Sequence, residues 1–332
     1  MALGLSIGAM VASTAGIASA DSLDFQISID GYDLLPTTDN AASAYSGSGD
    51  IAIAYGNGAD AYAQGGFGNF ASSFGDGSSA NATGSFGNIA IASGGADAYA
   101  QDGSGDFASA SGSGAHAFAQ NGSGDSASAS GTDSSATAQG GTGDYASASG
   151  SSATANASGS DDFASASGDS TNAYASGGSG DYAIVSGDDA NAFAQGGSND
   201  VAISSGTDSS ANAQSGSDNF ASAAGGADAY AQGGSGDYAS AIGDGSNATA
   251  TGNSDVAYVL DPFGTHGSFA EAGLSGSAPG NDDLAAVLFL DGVSAHAWGG
   301  NDLYDIVTAL GNESGTAAAT SGGWLAELLS LF

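Results

Sequence analysis

A short phrase recurs along this chain at a nearly constant spacing. It reads GDFASASG at 105–112, GDYASASG at 143–150 and GDYAIVSG at 180–187. The residue after its acidic or Asn position, here called the anchor, recurs every 18 or 19 positions through twelve units: Ile51, Phe70, Ile89, Phe107, Ser126, Tyr145, Phe163, Tyr182, Val201, Phe220, Tyr238 and Val256. A fixed period of this length is typical of repeat proteins, in which each unit stacks on its neighbours and none buries its apolar face alone.

Each unit contains two short segments with the period of two that is characteristic of strands. The first segment resembles YASAS at 145–149, and the second resembles ANAFAQ at 190–195. Two strands of about five residues and two turns rich in Gly, Asp and Ser account for the repeat length. The sequence therefore predicts an all-β, two-sheeted β-solenoid of about 15 coils.

Alternation within each strand indicates which side chains face the interior. In the second strand the residues between the alanines include Asp60, Asp97 and His116, and burial of an unpaired carboxylate is costly. In the first strand the residue after the anchor is Ala in all twelve units. These patterns predict a thin core lined by Ala.

The same alternation predicts that two sets of aromatic side chains lie on the outer faces. They are Phe107, Tyr145, Phe163, Tyr182, Phe220 and Tyr238 in the first strands and Tyr99, Phe118, Phe193 and Tyr230 in the second strands. Exposed apolar rows are typical of contact surfaces, so we interpret these residues as candidates for surface contact. In the alternative interpretation, the first-strand aromatic residues point inward and share the interior with the serines.

Composition restricts the partners that such a surface could bind. The 332 residues include no Lys, Arg or Cys and carry a formal charge of −36. A chain of this charge repels nucleic acid, and it cannot form disulfides. The partner classes that remain are a second copy of the chain, cations and glycans. A high Gly content and a high net charge often indicate disorder, but the regularly placed 41% of hydrophobic residues favours a folded repeat.

The ends of the chain differ from the repeats. Ala2 to Ile17 is mostly apolar and leads to Ala18-Ser19-Ala20, a pattern typical of a secretory signal peptide at 1–20. It lacks a basic region, which suggests an atypical signal or a true start further upstream; the alternative is a buried N-terminal helix. We expect an N-terminal capping coil at 21–47, regular repeats at 48–273 and irregular coils at 274–332, ending in a short capping helix at 324–332. Beyond 260 the strand pattern continues near 268–273, 284–290 and 295–300, and 303–310 with 317–320 is expected to form a last coil. No later segment is long and apolar enough to span a membrane.

An acidic position precedes most anchors and is the most suggestive chemical feature. It is occupied by Asp50, Asp106, Asp125, Asp144, Asp162, Asp181, Asp200, Asp237 and Asp255, with Asn69, Asn88 and Asn219 in the other units. Stacked coils bring these carboxylates together with no Lys or Arg to compensate them, and Ca²⁺ prefers oxygen ligands.

Two interpretations of this acidic row remain open. The surrounding GGSGD at 177–181 is similar to the calcium-binding nonapeptide of RTX β-rolls, although Asp comes one place early. On the first interpretation, the stacking and this resemblance together make candidate calcium ligands of Asp106, Asp125, Asp144, Asp162, Asp181, Asp200 and Asp237. The alternative is a solvated acidic edge that binds no specific ion.

Several segments also resemble a known group of proteins. The signal-like N-terminus, the ASASG coils, Asp261-Pro262-Phe263-Gly264 and DLAAV at 283–287 resemble secreted Gly/Ala-rich repeat proteins of mycobacteria and related actinobacteria. The resemblance implies an exported protein of the cell envelope and implies no catalytic activity.

No combination of residues in the sequence predicts catalysis. The three histidines, His116, His266 and His296, are far apart, and no G-x-S-x-G elbow accompanies a suitable Asp and His. The sequence therefore predicts a secreted, non-enzymatic structural or cell-surface protein without a cofactor, which acts through exposed residue rows. The alternatives are a calcium-binding β-roll and a solenoid that binds carbohydrate or another surface.

Overall fold

A computed structural model describes residues 24–34, 41–262, 267–273, 282–288, 292–298 and 316–320. In these ranges the chain forms strands joined by turns, and no helix is long and apolar enough to cross a membrane. The predicted signal peptide and C-terminal helix lie outside the described residues. The strands are β1 (Phe25–Ile29), β2 (Tyr32–Asp33), β3 (Ser43–Ser46), β4 (Ile51–Tyr55), β5 (Asp60–Phe67), β6 (Phe70–Phe74), β7 (Ser79–Phe86), β8 (Ile89–Ser93), β9 (Asp97–Ser104), β10 (Phe107–Ser111), β11 (His116–Gln120), β12 (Ser126–Ser130), β13 (Ser135–Gln139), β14 (Tyr145–Ser149), β15 (Thr154–Ser160), β16 (Phe163–Ser167), β17 (Asn172–Ser179), β18 (Tyr182–Ser186), β19 (Asn191–Gln195), β20 (Val201–Ser205), β21 (Ser210–Gln214), β22 (Phe220–Ala224), β23 (Asp228–Ser235), β24 (Tyr238–Ile242), β25 (Asn247–Asn253), β26 (Val256–Leu260), β27 (Phe269–Ala272), β28 (Leu284–Leu288), β29 (Ser294–Trp298) and β30 (Thr316–Thr320).

The strands form two sheets of 15 strands each. One sheet, here called sheet A, contains β1, β2 and the even-numbered strands from β4 to β28. The other, sheet B, contains β3, the odd-numbered strands from β5 to β29, and β30. From β4 onward, neighbours in sheet A pair in parallel and in register, as Tyr145 does with Phe163 and Ala146 with Ala164. The predicted two-sheeted β-solenoid is therefore confirmed, and its regular part comprises the twelve units whose first strands run from β4 to β26.

Alanine fills the space between the two sheets, as the alternation predicted. Ala146 and Ala164 of sheet A and Ala136 and Ala192 of sheet B are fully buried. The largest fully buried apolar side chains are Val185, Val259 and Val287. Because such side chains are small, the interior has little apolar area per residue, and much of the cohesion comes from the backbone hydrogen bonds between coils.

The N-terminal end of the solenoid differs from the regular coils in the direction of one strand. Strand β1 lies beside β4 in sheet A and pairs with it in the antiparallel direction, whereas β3 pairs with β5 of sheet B in parallel. Gln26 and Ser28 of β1 are buried, and their side-chain oxygens accept hydrogen bonds from the backbone N–H groups of Ala44 and Ser46 in β3 at 2.9 and 3.1 Å. These contacts satisfy donors on the edge strand of sheet B that would otherwise be free to pair with another chain.

The irregular C-terminal repeats continue both sheets. Strand β28 extends sheet A, and β27, β29 and β30 extend sheet B in parallel. The strands predicted near 268–273, 284–290, 295–300 and 317–320 are therefore confirmed. The predicted last coil at 303–310 lies outside the described residues.

Candidate functional site

The acidic position before each anchor is buried at one corner of every coil. We call this column the corner ladder; its members are Asp50, Asn69, Asn88, Asp106, Asp125, Asp144, Asp162, Asp181, Asp200, Asn219, Asp237, Asp255 and Asp283. Each side chain is at most 1% exposed. The prediction of a solvated acidic edge is therefore wrong, because these side chains turn into the corner and bind the backbone of the next coil.

A continuous series of hydrogen bonds runs along the corner ladder. The Oδ1 atom of each member accepts a hydrogen bond from the backbone N–H of the next member, as Asp106 does from Asp125 at 3.1 Å and Asp181 from Asp200 at 2.9 Å. The Asn members act in the same way, since Oδ1 of Asn69 accepts from the N–H of Asn88 at 3.0 Å. The ladder therefore satisfies one buried backbone donor in each coil, at a point where the chain turns and the sheet cannot do so.

The local sequence explains how the side chain reaches this position. The residue before each Asp has a left-handed backbone, for example Gly105 with φ 73° and Gly180 with φ 69°. Three positions before the Asp, a glycine such as Gly103 or Gly122 leaves the space that the carboxyl group fills, because a Cβ there would overlap Oδ2 of Asp106 or Asp125. The G-x-G-D phrase is thus explained by corner geometry without a metal ion.

The second carboxyl oxygen distinguishes the Asp members from the Asn members. Oδ2 of Asp106, Asp125, Asp162, Asp181 and Asp200 is buried and has no hydrogen-bond partner. In the Asn members the corresponding amide donates to backbone carbonyls: Nδ2 of Asn69 to Gln64 O at 3.1 Å, and Nδ2 of Asn88 to Thr83 O at 3.2 Å and to Gly103 O at 3.3 Å. The atom at this position, Oδ2 of Asp or Nδ2 of Asn, therefore faces backbone carbonyl oxygens. Such surroundings favour a hydrogen-bond donor over a carboxylate oxygen.

Burial raises the pKa of most carboxyl groups in the ladder. Loss of hydration is the largest cause, and repulsion from neighbouring carboxylates adds to it, whereas the backbone hydrogen bonds act in the opposite direction. The pKa is raised to about 6 for Asp125 and Asp162 and to about 7 for Asp255. It is also raised for Asp106, Asp144, Asp181, Asp200 and Asp237.

The predicted calcium ligands do not converge into a metal cluster. Among the described residues, no group of three or more His, Asp or Glu side chains is arranged to hold a metal ion. The seven predicted ligands all belong to the corner ladder, where successive carboxyl groups bind the backbone in single file. Calcium binding stays a prediction from the sequence.

The predicted aromatic row of sheet A lies on the outer face. Tyr145, Tyr182, Tyr238 and Phe107 are 36–45% exposed, and Phe163 and Phe220 are half-buried. The rings stack on one another, with centroids 5.0 Å apart for Tyr145 and Phe163 and an angle of 7° between their planes. Phe163 continues the stack to Tyr182 at 5.8 Å, and Phe220 stacks on Tyr238 at 5.0 Å.

This stacking affects what the row can bind. Ring faces inside a stack contact each other, so the ring edges and hydroxyl groups are what the row presents to solvent. A sugar ring stacks on an open aromatic face, and that geometry is available only at the ends of each stack. The contact role of these residues stays a prediction, and their arrangement does not favour stacking of sugars along the row.

Sheet B carries the second aromatic set on its outer face. Tyr99 stacks on Phe118 and Tyr174 on Phe193, both with centroids 5.1 Å apart, and Tyr230 is half-buried. Burial and the nearby Asp228 carboxylate raise the pKa of Tyr230.

Two histidines on this face pair with acidic residues of the preceding coil. Nδ1 of His116 lies 3.2 Å from Oδ2 of Asp97, and Nδ1 of His296 lies 3.1 Å from Oε2 of Glu271. In each pair the two residues are in register on neighbouring strands. The 19-residue period relates His116 to Asp97, so the sequence contained the signal for this pair. His266 lies outside the described residues.

The most exposed stacked aromatic pair was not among the sequence-predicted contact residues. Phe67 and Phe86 are 62% and 60% exposed, and their rings stack with centroids 6.3 Å apart. They end β5 and β7, in a column that continues through Ser104, Ser123 and Thr142. Substitution of Ser by Phe at two successive turns was the signal that could have identified this pair.

Comparison of the chain with protein-family models and with curated protein sequences finds no match.

Proposed function

We propose that this chain is a secreted, non-enzymatic structural or cell-surface protein that acts through self-association of its exposed residue rows. Export is supported by the apolar N-terminal stretch that ends in Ala18-Ser19-Ala20. A structural role is supported by the repeat fold, whose twelve regular coils at about 4.8 Å per coil give a rod about 60 Å long.

The observation that carries the proposal is the exposed Phe67–Phe86 pair. Elsewhere the same column consists of Ser, Thr or Asn, so the corner does not need an aromatic side chain in order to fold. Phe67 and Phe86 are adjacent and each is more than half exposed, so they form an apolar patch on the surface of a highly charged protein. Such patches are typical of contact surfaces. Tyr55 and Phe74, stacked at 4.8 Å and also exposed, provide a second such pair on the same coils.

Electrostatics decides the conditions under which copies can meet. With a formal charge of −36 and no basic side chain except His, two copies repel each other at low ionic strength. At about 0.15 M salt the repulsion between exposed charges is screened beyond about 8 Å. Association through apolar pairs is therefore expected at physiological salt and is weakened at low salt.

Sedimentation velocity of the purified secreted form tests the proposal. At 0.15 M salt we expect concentration-dependent association that decreases in the double variant Phe67→Ser and Phe86→Ser, which introduces the residue that the same column uses elsewhere. The matched control is the double variant Ile91→Ser and Ile203→Ser on sheet A, outside the aromatic rows, since Ser109 and Ser222 occupy that column in neighbouring coils. A wild-type protein that stays monomeric at all concentrations, or a Phe67 and Phe86 double variant that associates as the wild type does, would contradict this function.

A further inference from the structure

Ionised carboxyl groups in the corner ladder would be energetically unfavourable. The buried Oδ2 atoms of Asp125, Asp162 and Asp181 have no hydrogen-bond partner. A buried carboxylate oxygen without a donor is strongly disfavoured. The chain contains no Lys or Arg that could compensate it.

The Asn members show which group the corner accepts. An Asn amide and a protonated Asp carboxyl group have nearly the same shape, and both combine one acceptor oxygen with a donor group, which carries two N–H in Asn and one O–H in Asp. In Asn88 the oxygen accepts from the N–H of Asp106 at 3.0 Å while the amide donates to Thr83 O and Gly103 O. In Asn219 the oxygen accepts from the N–H of Asp237 at 3.1 Å and the amide donates to Gly234 O. A protonated Asp has the same acceptor oxygen and one O–H, which can donate to one of the carbonyls that the amide binds.

We propose that the corner ladder is a proton-binding column that couples the stability of the solenoid to pH. Its Asp side chains are protonated on Oδ2 in the folded protein at mildly acidic pH. Each Oδ2–H donates to one backbone carbonyl of its own corner, at a position that corresponds to a carbonyl bound by the Asn members, while Oδ1 keeps its hydrogen bond from the next coil. The proton comes from solvent and returns to solvent as the pH rises.

The charged groups nearest to each ladder carboxyl group are other carboxyl groups, so the ionisation of one affects the ionisation of its neighbours. Asp125 faces Asp106 and Asp144, and Asp162 faces Asp144, Asp181 and the adjacent Asp161. Asp200 faces Asp181 and Asp218. Asp255 faces Asp237, Asp282 and Asp283. All of these groups are acidic, and the described histidines, His116 and His296, lie on the outer face of sheet B. Each ionisation therefore disfavours the next one.

Two coils differ from the rest in a way that fits this assignment. Oδ2 of Asp144 accepts a hydrogen bond from the N–H of Gly159 at 3.3 Å, and Oδ2 of Asp237 accepts one from the N–H of Gly252 at 3.2 Å. A donor at Oδ2 stabilises the ionised form. These two members are expected to release their protons at lower pH than Asp125, Asp162 and Asp255.

The pH dependence of thermal unfolding tests the proposal. A carboxyl group whose pKa is raised by folding stabilises the folded state below its unfolded pKa, and this stabilisation is lost as the pH rises through the folded pKa. The window therefore runs from about 4 to about 7. We expect the Tm of the wild type to fall by on the order of 10 °C between pH 4.5 and pH 8.

Two triple variants with the same change in charge separate the ladder from the surface. The ladder variant carries Asp125→Asn, Asp162→Asn and Asp181→Asn; the control carries Asp133→Asn, Asp189→Asn and Asp208→Asn at exposed turns. We expect the ladder variant to show a clearly smaller fall in Tm than the wild type, because three of its titrating groups are removed, and to melt above the wild type at pH 8. In the control, Tm is expected to change with pH as it does in the wild type. If Tm changed with pH equally in the two variants, the effect would come from exposed charge and the proposal would be overturned.

Two further measurements, carboxyl NMR of the wild type and the effect of calcium on Tm, complete the test. Carbon NMR of the Asp carboxyl groups is expected to show a set that titrates near pH 6 to 7, distinct from the exposed set, and this readout does not depend on whether a variant folds. A single titration near the ordinary range would overturn the proposal. So would a calcium-dependent rise in Tm at pH 8 that is absent from the ladder variant, because the column would then bind a metal cation.

Discussion

The backbone N–H of Asp144 donates a hydrogen bond to Oδ1 of Asp125 at 3.1 Å, although the two residues lie 19 positions apart. The same bond is repeated in coil after coil, with lengths of 2.8–3.1 Å along the corner ladder. One short side chain thus connects each coil to the next at the turn between the two sheets. The stability of the solenoid depends on this connection and on the close approach that glycine permits beside it.

Removal of one ladder side chain is expected to cost more than its conversion to the amide. Asp181→Ala leaves the buried N–H of Asp200 without its acceptor, and such a loss costs about 1–3 kcal/mol. Asp181→Asn keeps the acceptor and is expected to cost less than about 1 kcal/mol. Urea denaturation at about pH 4 measures both variants. Equal destabilisation by the two substitutions would show that the hydrogen bond is not what the side chain contributes.

Two adjacent glycines in one turn are expected to respond very differently to the same substitution. A Cβ at Gly197 would overlap the carbonyl oxygen of Gly216, so Gly197→Ser forces two coils apart and is expected to cost several kcal/mol. Gly196 has a left-handed backbone with φ 72° but open space around it, and Ser215 occupies the same register with φ 56°. Gly196→Ser is therefore expected to cost about 1 kcal/mol or less. Thermal unfolding compares the two variants, and a smaller loss for Gly197→Ser than for Gly196→Ser would contradict the proposed packing.

The thin core predicts a similar contrast between two neighbours in β16. Ala164 is fully buried between the sheets, and Ala164→Leu is expected to destabilise the protein by about 1–3 kcal/mol or more because the interior has no room for the larger side chain. Ser165 points outward, and its partner in the next coil is Ile184. Ser165→Leu is therefore expected to change stability by less than about 0.5 kcal/mol. The denaturation midpoints measure both effects, and tolerance of Leu at 164 would show a looser interior.

The N-terminal cap is expected to protect one edge amide in particular. Gln26→Leu removes the acceptor of the Ala44 N–H, which is bound at 2.9 Å in the wild type. We expect hydrogen exchange at Ala44 to accelerate by about 10-fold or more, because loss of about 1.4 kcal/mol of local protection corresponds to a factor of ten. The amide of Ala146, in the middle of sheet A, serves as the internal control and is expected to be unchanged. Uniform acceleration at both amides would indicate global destabilisation instead of loss of the cap.

Much of the fold was predictable because the repeat carries the same information twelve times. The period predicted the coil, the alternation of Ala in strands such as Tyr145–Ser149 predicted the interior, and the register of the stacked rings followed from both. The first strand could not be predicted in the same way. Phe25–Ile29 alternates as the other strands do, yet it runs antiparallel to β4, and the direction of a strand leaves no trace in its own alternation.

The corner ladder separates what the sequence alone determined from what the tertiary structure decided. The sequence determined that Asp or Asn recurs once per coil, three places after a glycine in most units and directly before each anchor. It could not determine that Asp125 or Asp162 is buried, because a lone carboxylate is normally more stable in water. Only stacking of the coils supplies the backbone N–H of the next unit as a donor and the glycine backbone as the wall of the site. The place of the Asp in each repeat could be determined from the residues next to it in the sequence. Its burial and its hydrogen-bond partners come from residues 18 or 19 positions away, which only the fold brings close.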